Sequence, residues 1–88
     1  MDVNELIKQG VIDHDLKILP QYFKLVNSGI KRFEIRKDDR NYRAGDLFIL
    51  REWDGERYTG RTFMQSISYV LRGVPEYGLE DGYCIFCW

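Results

Sequence analysis

The sequence has no apolar run approaching the roughly 18 residues that a membrane-spanning helix needs. It also lacks a charged-then-apolar leader of the kind that directs secretion. We therefore expect a cytoplasmic protein with no membrane partner. Net charge is nearly absent too, because 13 Lys and Arg residues oppose 14 Asp and Glu residues and leave −1. No overall field draws nucleic acid or an anionic membrane surface towards the molecule.

Metal ligands and nucleophiles are equally scarce. With one histidine, His14, there is no conventional histidine metal cluster, and we expect a structural, hydrogen-bonded role for it. No serine lies beside a plausible base, and no glycine-rich phosphate loop or carboxylate cluster with metal-ligand spacing occurs. We expect neither a metal nor a cofactor.

Only two cysteines are present, Cys84 and Cys87, in a C-x-x-C pattern. Metal sites of this type need a second ligand pair, and redox motifs place the cysteines at the start of a helix. Here they belong to a predicted terminal strand over residues 83–88, in which residues three apart face opposite sides. We therefore expect two buried, reduced thiols.

The length predicts a single small domain. Its 88 residues are 44% hydrophobic and 15% aromatic, which is enough to close one core without a staple. Residues 1–12 are expected to form a short helix or a loose arm, and residues 13–88 the domain itself. The sequence leaves the oligomeric state open.

Apolar periodicity and turn residues place the first elements. Residues 11–19 alternate as a strand, and Pro20 suits the first position of a helix that ends before Gly29. Residues 31–37 are extended, and we expect Phe33 and Ile35 to anchor this segment while its charged residues occupy the other face.

The second half of the chain predicts further strands. Residues 47–50 are apolar on both faces, as in a central strand, and Asp54-Gly55 signals a hairpin. The return strand is long enough to require a bulge or bend at Gly60. Several strands with one convincing early helix favour the α+β class, as a small β-barrel with one or two short helices rather than a parallel sheet.

Charge is concentrated locally although it is small overall. Residues 31–43 contain six basic and three acidic side chains, a net of +3. Lys31, Glu34 and Arg36 occupy one short extended stretch of this region, and buried charges are costly unless they are paired or used. Arg40, in the loop that follows, is a further candidate ligand contact. We predict a binding site here.

The chemistry of these side chains suits a nucleotide. Lysine and arginine hold phosphates, and a carboxylate accepts from the exocyclic amine of a base. Glu34 and Arg36 share a face, so they can instead belong to a purely structural network with each other or with neighbouring charged residues: Arg51, Glu52 and Arg61.

Aromatic side chains are candidates for stacking on unpaired bases. The candidates are Tyr42, Trp53, Tyr58, Tyr69, Tyr77 and Tyr83. Most aromatic residues at strand periodicity belong to a core. Trp53 and Tyr77 are the better candidates because they lie beside turns.

Three stretches resemble the ASCH family of the PUA-like superfamily, in particular its short single-domain branch in Gram-positive bacteria and their phages. These are residues 14–23, 29–36 and 45–46. The strongest part is Gly29, Lys31, Glu34 and Arg36, which match the family's G-x-K-x-x-E-x-R pattern position by position.

This resemblance implies a PUA-like β-barrel that binds RNA, or a nucleotide-like ligand, in a cleft beside the motif. Some relatives are amidohydrolases acting on acylated nucleosides, with a threonine nucleophile three residues after the lysine, where this chain has Glu34. A hydrolase scheme remains as an alternative, with Glu34 as general base and Lys31 polarising a carbonyl. A protein-interaction module with an apolar patch around Tyr77 and Leu79 is the other alternative.

Overall fold

The computed structural model describes residues 2–88, which form an α+β domain of two open three-stranded sheets. This confirms the predicted α+β class, and no closed barrel is formed by the described residues. In chain order the elements are α1 (Val3–Lys8), β1 (His14–Ile18), α2 (Pro20–Asn27), β2 (Phe33–Lys37), β3 (Leu47–Trp53), β4 (Tyr58–Ser66), β5 (Tyr69–Leu71), a short 3₁₀ helix (Pro75–Tyr77) and β6 (Tyr83–Cys87).

The first sheet has the strand order β1-β3-β4. Its middle strand, β3, buries Phe48, Ile49 and Leu50 completely, as the apolar run predicted. The Asp54-Gly55 hairpin between β3 and β4 is also confirmed, and the Asp54 carboxylate accepts from the backbone amides of Glu56 and Arg57 (both 2.9 Å).

Strand β4 carries the predicted irregularity at Gly60. Arg51 of β3 is opposite Thr62 whereas Trp53 is opposite Tyr58, so β4 has extra residues between these two pairs. Gly60 adopts φ +96°, a conformation that other residues resist. The bulge bends β4, and the chain then leaves this sheet and continues as β5 in the other one.

One pairing differs from the sequence prediction. Strands β1 and β3 run parallel, with His14 opposite Phe48 and Ile18 opposite Glu52. A parallel pair needs a crossover connection, and here the crossover consists of α2 and β2. Strand β2 therefore contributes to the second sheet before the first one is complete.

The second sheet has the order β2-β6-β5, and both pairings are antiparallel. Its middle strand buries Cys84 and Phe86 completely. These side chains join one hydrophobic core with α2 and the inner face of the first sheet. The core consists of Leu16, Ile18, Phe23, Val26, Tyr42, Phe48, Leu50, Ile67, Cys84 and Phe86.

The orientation of β2 is the reverse of what we predicted. Phe33 and Ile35 are 43% and 57% exposed, whereas Glu34 between them is only 6% exposed. The prediction that the two apolar side chains anchor this strand is therefore wrong. An inward carboxylate is tolerated because cationic partners surround it, as described below.

Residues before the domain form the helix α1, capped by the Asp2 carboxylate, which accepts from the Glu5 amide (2.9 Å). Among residues 2–88, no helix has the length and apolar character needed to cross a membrane.

Candidate functional site

A cleft of about 500 Å³ lies where β1 and the start of α2 face β2. Its volume is in the usual range for small-molecule sites. Strands β1 and β2 are the outer strands of different sheets, and no backbone pairing joins them within the described chain. The cleft is lined by Lys17, Ile18, Leu19, Tyr22, Lys31, Phe33, Glu34, Ile35 and Arg36.

The turn after α2 brings the charged motif to this cleft. Gly29 has φ +80° directly after the helix end, which confirms its predicted role as the helix stop. The amides of Ile30 and Lys31 both donate to the Leu25 carbonyl (3.0 Å each). The chain is thereby turned back along the helix, which brings Lys31 to the cleft.

Glu34 forms the centre of the cleft floor. Its carboxylate accepts from Lys31 Nζ at one oxygen, Oε2, and from Arg36 at the other, Oε1, where the distances are 3.1 Å from Nε and 2.6 Å from Nη2. The predicted pairing of Glu34 with Arg36 is confirmed. Arg51 and Arg61 instead bind Asp15 and Glu52.

Lys31 is held by four groups. Besides Glu34, its ammonium donates to the Phe33 carbonyl (2.5 Å), and it lies 4.7 Å from the Phe33 ring centroid and 5.9 Å from that of Tyr22. An ammonium has three N–H donors, and two of them are occupied. One N–H remains for a ligand.

Arg36 joins the cleft floor to the first sheet. Its Nη2 donates to the Lys17 carbonyl of β1 (2.7 Å) as well as to Glu34. Within residues 2–88 its Nη1 has no hydrogen-bond partner, so both N–H groups of that nitrogen are available. The floor therefore offers spare donors on both sides of Glu34, with a net charge of +1.

The walls of the cleft are apolar. Leu19 and Tyr22 (each 45% exposed) stand on one side, and Phe33 and Ile35 on the other. None of these four residues is among the candidates predicted from the sequence, because Phe33 and Ile35 were expected to anchor β2 in the core. The available signal was the alternation of apolar residues with Glu34 and Arg36 in β2. This alternation is compatible with either face of the strand pointing into the core.

Three further sequence candidates lie outside the cleft lining. Arg40 donates to the Asp15 carbonyl of β1 (2.9 Å), and Tyr77 is 85% exposed on the 3₁₀ helix. Trp53 packs edge-on against Tyr58 and carries the Lys17 ammonium 4.1 Å above its ring. Only Lys31, Glu34 and Arg36 of the six predicted site residues are brought together, although Lys17 connects the cleft to Trp53.

Tyr42, another stacking candidate, is 1% exposed and belongs to the core. Its ring packs 4.6 Å from that of His14 and 5.1 Å from that of Phe86. Burial raises the pKa of its hydroxyl above the ordinary value. The interpretation of Tyr42 as a base-stacking residue is therefore wrong.

His14 has the structural role that we predicted. Its Nε2 lies 2.8 Å from Asp46 Oδ2, and the same oxygen accepts from the Arg43 amide (3.0 Å). Asp46 thus fixes both the turn before β3 and the histidine of β1. Neither residue lines the cleft.

Three carboxylates outside the cleft have a lowered pKa: Asp54, which accepts from the backbone amides of Arg57 and Glu56, and Glu52 and Asp38, which accept from arginine side chains. Hydrogen bonds from Arg61 and Thr59 hold the pKa of Glu52, whose side chain is buried, below its ordinary value. A hydrogen bond from Arg72 does the same for the pKa of Asp38. Both arginine–carboxylate pairs hold strands or loops together.

The two cysteines are unpaired thiols, with Cys84 fully buried and Cys87 half-buried, so the prediction of two buried thiols is confirmed for Cys84 and wrong for Cys87. Burial raises the pKa of the Cys84 thiol above its ordinary value. The described part of the chain contains no group of three or more His, Cys, Asp or Glu side chains placed to share a metal ion.

Comparisons with known proteins found one matching family and one similar curated protein. The model of a family described as "Domain of unknown function (DUF3850)" matches residues 13–87, a span that includes every residue lining the cleft. An "Uncharacterized 12.9 kDa protein in GpA 3'region" of Escherichia phage P2 is 52% identical over 57 residues, which are 65% of this chain and 52% of that protein. The chain thus spans about half the length of this curated relative.

Proposed function

The chain belongs to the DUF3850 family, and we propose that it binds single-stranded RNA. One nucleotide of this RNA enters the cleft, which lies within the residues that the family model matches. We further propose that the domain is PUA-like, of the ASCH type. One observation carries the functional proposal: spare N–H donors of Lys31 and Arg36 lie at the floor of a cleft whose walls are apolar and partly aromatic.

An unpaired nucleotide has the chemistry that this cleft requires. Its base is a flat ring with polar atoms on its edge, and aromatic or apolar side chains bind such rings by stacking. Tyr22 and Phe33 flank the ammonium of Lys31, so a base between the walls brings its edge to the donors. Duplex RNA keeps its bases stacked inside the helix and does not offer this edge.

The small charge of the site sets the expected salt dependence. The cleft floor carries a net +1, and Lys17 is the other cationic residue that lines the cleft. For single strands, each neutralised phosphate lowers the logarithm of the binding constant by about 0.7 when the salt concentration rises tenfold. With one or two phosphates neutralised, raising the salt concentration fourfold weakens binding by about 3- to 7-fold.

The state of Glu34 favours binding over the hydrolase alternative. A general base must have a lone pair directed at the water from which it takes a proton. Both oxygens of Glu34 already accept from Lys31 and Arg36, and its side chain is only 8% exposed. These contacts suit a residue that positions two cations.

The PUA-like proposal draws support from the way the two sheets share one core. The gap between β1 and β2 is bridged by the Arg36 side chain, where a closed barrel has a backbone ladder. The helix α2 covers the core beside this gap, as the resemblance to ASCH domains implies for the early helix.

Titration of the wild-type chain with fluorescently labelled eight-nucleotide RNA of mixed sequence, single-stranded and in a duplex, tests the proposal. We expect saturable binding of the single strand, a weaker signal with the duplex, and loss of most affinity in Lys31→Ala. Lys24→Ala removes an exposed lysine of α2 outside the cleft and is the matched control. Absence of binding at 50 mM salt, or equal losses in both variants, refutes the proposal.

A further inference from the structure

We propose that two copies of this chain associate through the outer edge of β4, where the two strands pair antiparallel about a twofold axis at Met64. The surface concerned is the outward backbone edge of residues 62–66, which we call the β4 edge. This inference does not rest on RNA binding, because the cleft lies beside β1, at the opposite side of the first sheet.

Strand β4 pairs on one side only, with β3, although it is the longest strand of the fold. The direction of its hydrogen bonds follows from Ile67, whose amide donates to the Asp46 carbonyl (2.8 Å) and whose carbonyl accepts from the Gly45 amide (2.7 Å). Backbone groups in an antiparallel strand alternate between its two sides. Within residues 62–66, the odd-numbered residues therefore face β3 and the even-numbered residues face outward.

Almost all hydrogen-bonding groups of the β4 edge are free. Within residues 2–88, the amides and carbonyls of Thr62 and Met64 and the carbonyl of Ser66 have no hydrogen-bond partner. The Ser66 amide donates to the side-chain oxygen of its neighbour Gln65 (3.0 Å). A row of open backbone groups is a template for another strand.

The other outer strands of the two sheets are protected, whereas the β4 edge is not. The carbonyls of Asp15 and Lys17 in β1 already accept from arginine side chains of the segment across the cleft. Strand β5 has only three residues. Natural proteins protect a free edge with charged residues, proline or a bulge. Residues 62–66 contain no charge and no proline, and the bulge of β4 lies before them.

The chemistry of the β4 edge fits a second copy of itself. With Met64 on the twofold axis, it faces the same residue of the second copy, and Thr62 faces Ser66 of the second copy. Apolar pairs and threonine–serine pairs are both favourable cross-strand neighbours, and no like charges come together. Each outward residue exchanges both of its backbone hydrogen bonds with the residue opposite.

The pairing is complete with two copies. The joined sheet has the order β1-β3-β4-β4-β3-β1, so both of its outer strands are β1. A contact that uses the same surface of both copies gives a closed dimer and does not propagate into a fibre. Five strand spacings separate the two β1 strands by about 24 Å, and both clefts stay open at the ends of the sheet.

The interface is small. One strand pair of this length buries less than the roughly 800 Å² per partner of a standard interface. We therefore expect a dimer that dissociates on dilution.

Sedimentation velocity of the wild-type chain from about 1 µM to about 500 µM is the direct test. We expect the mass to rise with concentration from that of one chain to that of two. A monomer at every concentration, or assemblies that grow beyond two copies, overturns the proposal. Neither result bears on the proposed RNA binding.

Met64→Lys tests the surface. Met64 is 45% exposed in the single chain, so the fold accommodates a lysine there, whereas the dimer brings two ammonium groups opposite each other. We expect the dissociation constant of the dimer to rise at least about tenfold. Tyr77→Lys adds the same charge at a residue that is 85% exposed outside the β4 edge and should leave the dimer unchanged. Equal weakening in both variants, or none in Met64→Lys, overturns the proposal.

Met64→Cys tests the position of the axis. Opposite residues of a hydrogen-bonded antiparallel pair have Cα atoms about 5.5 Å apart, which is within the range of a disulfide. We expect mild oxidation to give a covalent dimer that a reductant separates, while Tyr77→Cys stays a single chain. Equal yields from the two variants, or no covalent dimer from Met64→Cys, refute the pairing. If thermal melting shows that Met64→Lys is unfolded, this variant and the wild-type sedimentation decide.

Discussion

The guanidinium of Arg36 in β2 donates a 2.7 Å hydrogen bond to the backbone carbonyl of Lys17 in β1, and these strands belong to different sheets. Two residues earlier on β1, the Asp15 carbonyl accepts from Arg40 in the same way (2.9 Å). Arg36 thus bridges two strands that form no ladder with each other, and Arg40 connects the loop after β2 to β1. The space between these strands is the cleft.

Removal of the bridge should destabilise the fold. Arg36→Ala leaves the buried Glu34 with Lys31 as its single cationic partner and separates β1 from β2. We expect a loss of about 2–4 kcal/mol in the free energy of unfolding, measured by urea denaturation. Lys37→Ala, one residue further on the exposed side of β2, is the control and should change this value by less than about 0.5 kcal/mol. Similar losses in both variants would contradict the assignment.

The exposed ring of Phe33 should matter for binding and little for stability. In Phe33→Ala we expect RNA affinity to fall by about 5- to 150-fold, the range for loss of one base–aromatic stack. Its melting temperature should stay close to that of the wild type, because 43% of Phe33 is exposed. Tyr69→Ala removes an exposed aromatic residue outside the cleft lining and should leave affinity unchanged. A loss of affinity in Tyr69→Ala would place the binding surface elsewhere.

Acid should weaken the fold through Glu52. Arg61 and Thr59 hold its pKa below the ordinary value of 4.5, so the folded state binds the proton less tightly than the unfolded state does. The stabilisation is therefore complete above pH 4.5 and is lost as the pH falls through the folded-state pKa. Urea denaturation at pH 7 and pH 3 should show a smaller difference in Glu52→Gln than in the wild type. Glu56→Gln, in the exposed hairpin turn, should keep the wild-type difference.

The two thiols should react at different rates. Cys84 is fully buried and burial raises its pKa, whereas Cys87 is half-buried on the other face of β6. Only the thiolate reacts with iodoacetamide. Mass spectrometry after brief treatment of the folded protein should show modification of Cys87 first, and of both residues in denaturant. Faster labelling of Cys84, or a Cys84–Cys87 disulfide under mild oxidation, would be inconsistent with the strand geometry.

Local signals in the sequence were sufficient for α2 and the β3–β4 hairpin, whereas the division of the return strand into β4 and β5 was not predicted. Pro20 and Gly29 bound α2 because the first lacks an amide donor and the second takes a positive φ, and the Asp54-Gly55 turn defines a hairpin within a few residues. Lys31, Glu34 and Arg36 were also predicted as a site from the local concentration of charge, and the resemblance to ASCH domains implied the same residues. All of these depend on interactions between near neighbours.

The face of β2 and the pairing of β1 could not be read in the same way. Apolar and charged residues alternate in β2, and this pattern fits either orientation unless the partners of the charges are known. Glu34 points inward because Lys31 and Arg36 surround it and because the Lys17 carbonyl, 19 residues away from Arg36, completes the set. The parallel pairing of β1 with β3 similarly depends on contacts 34 residues apart, as between His14 and Phe48.

The position of β6 constrains the order in which this protein can fold. Strands β2 and β5 are not partners of each other, and each pairs only with β6, which follows both in the chain. Until residues 83–87 arrive, the second sheet has no ladder at all, while the β3–β4 hairpin can already form from residues close in sequence. The side of the cleft formed by β2 is therefore completed late, because a chain interrupted before β6 lacks the core residues Cys84 and Phe86 and the strand that holds β2 in place.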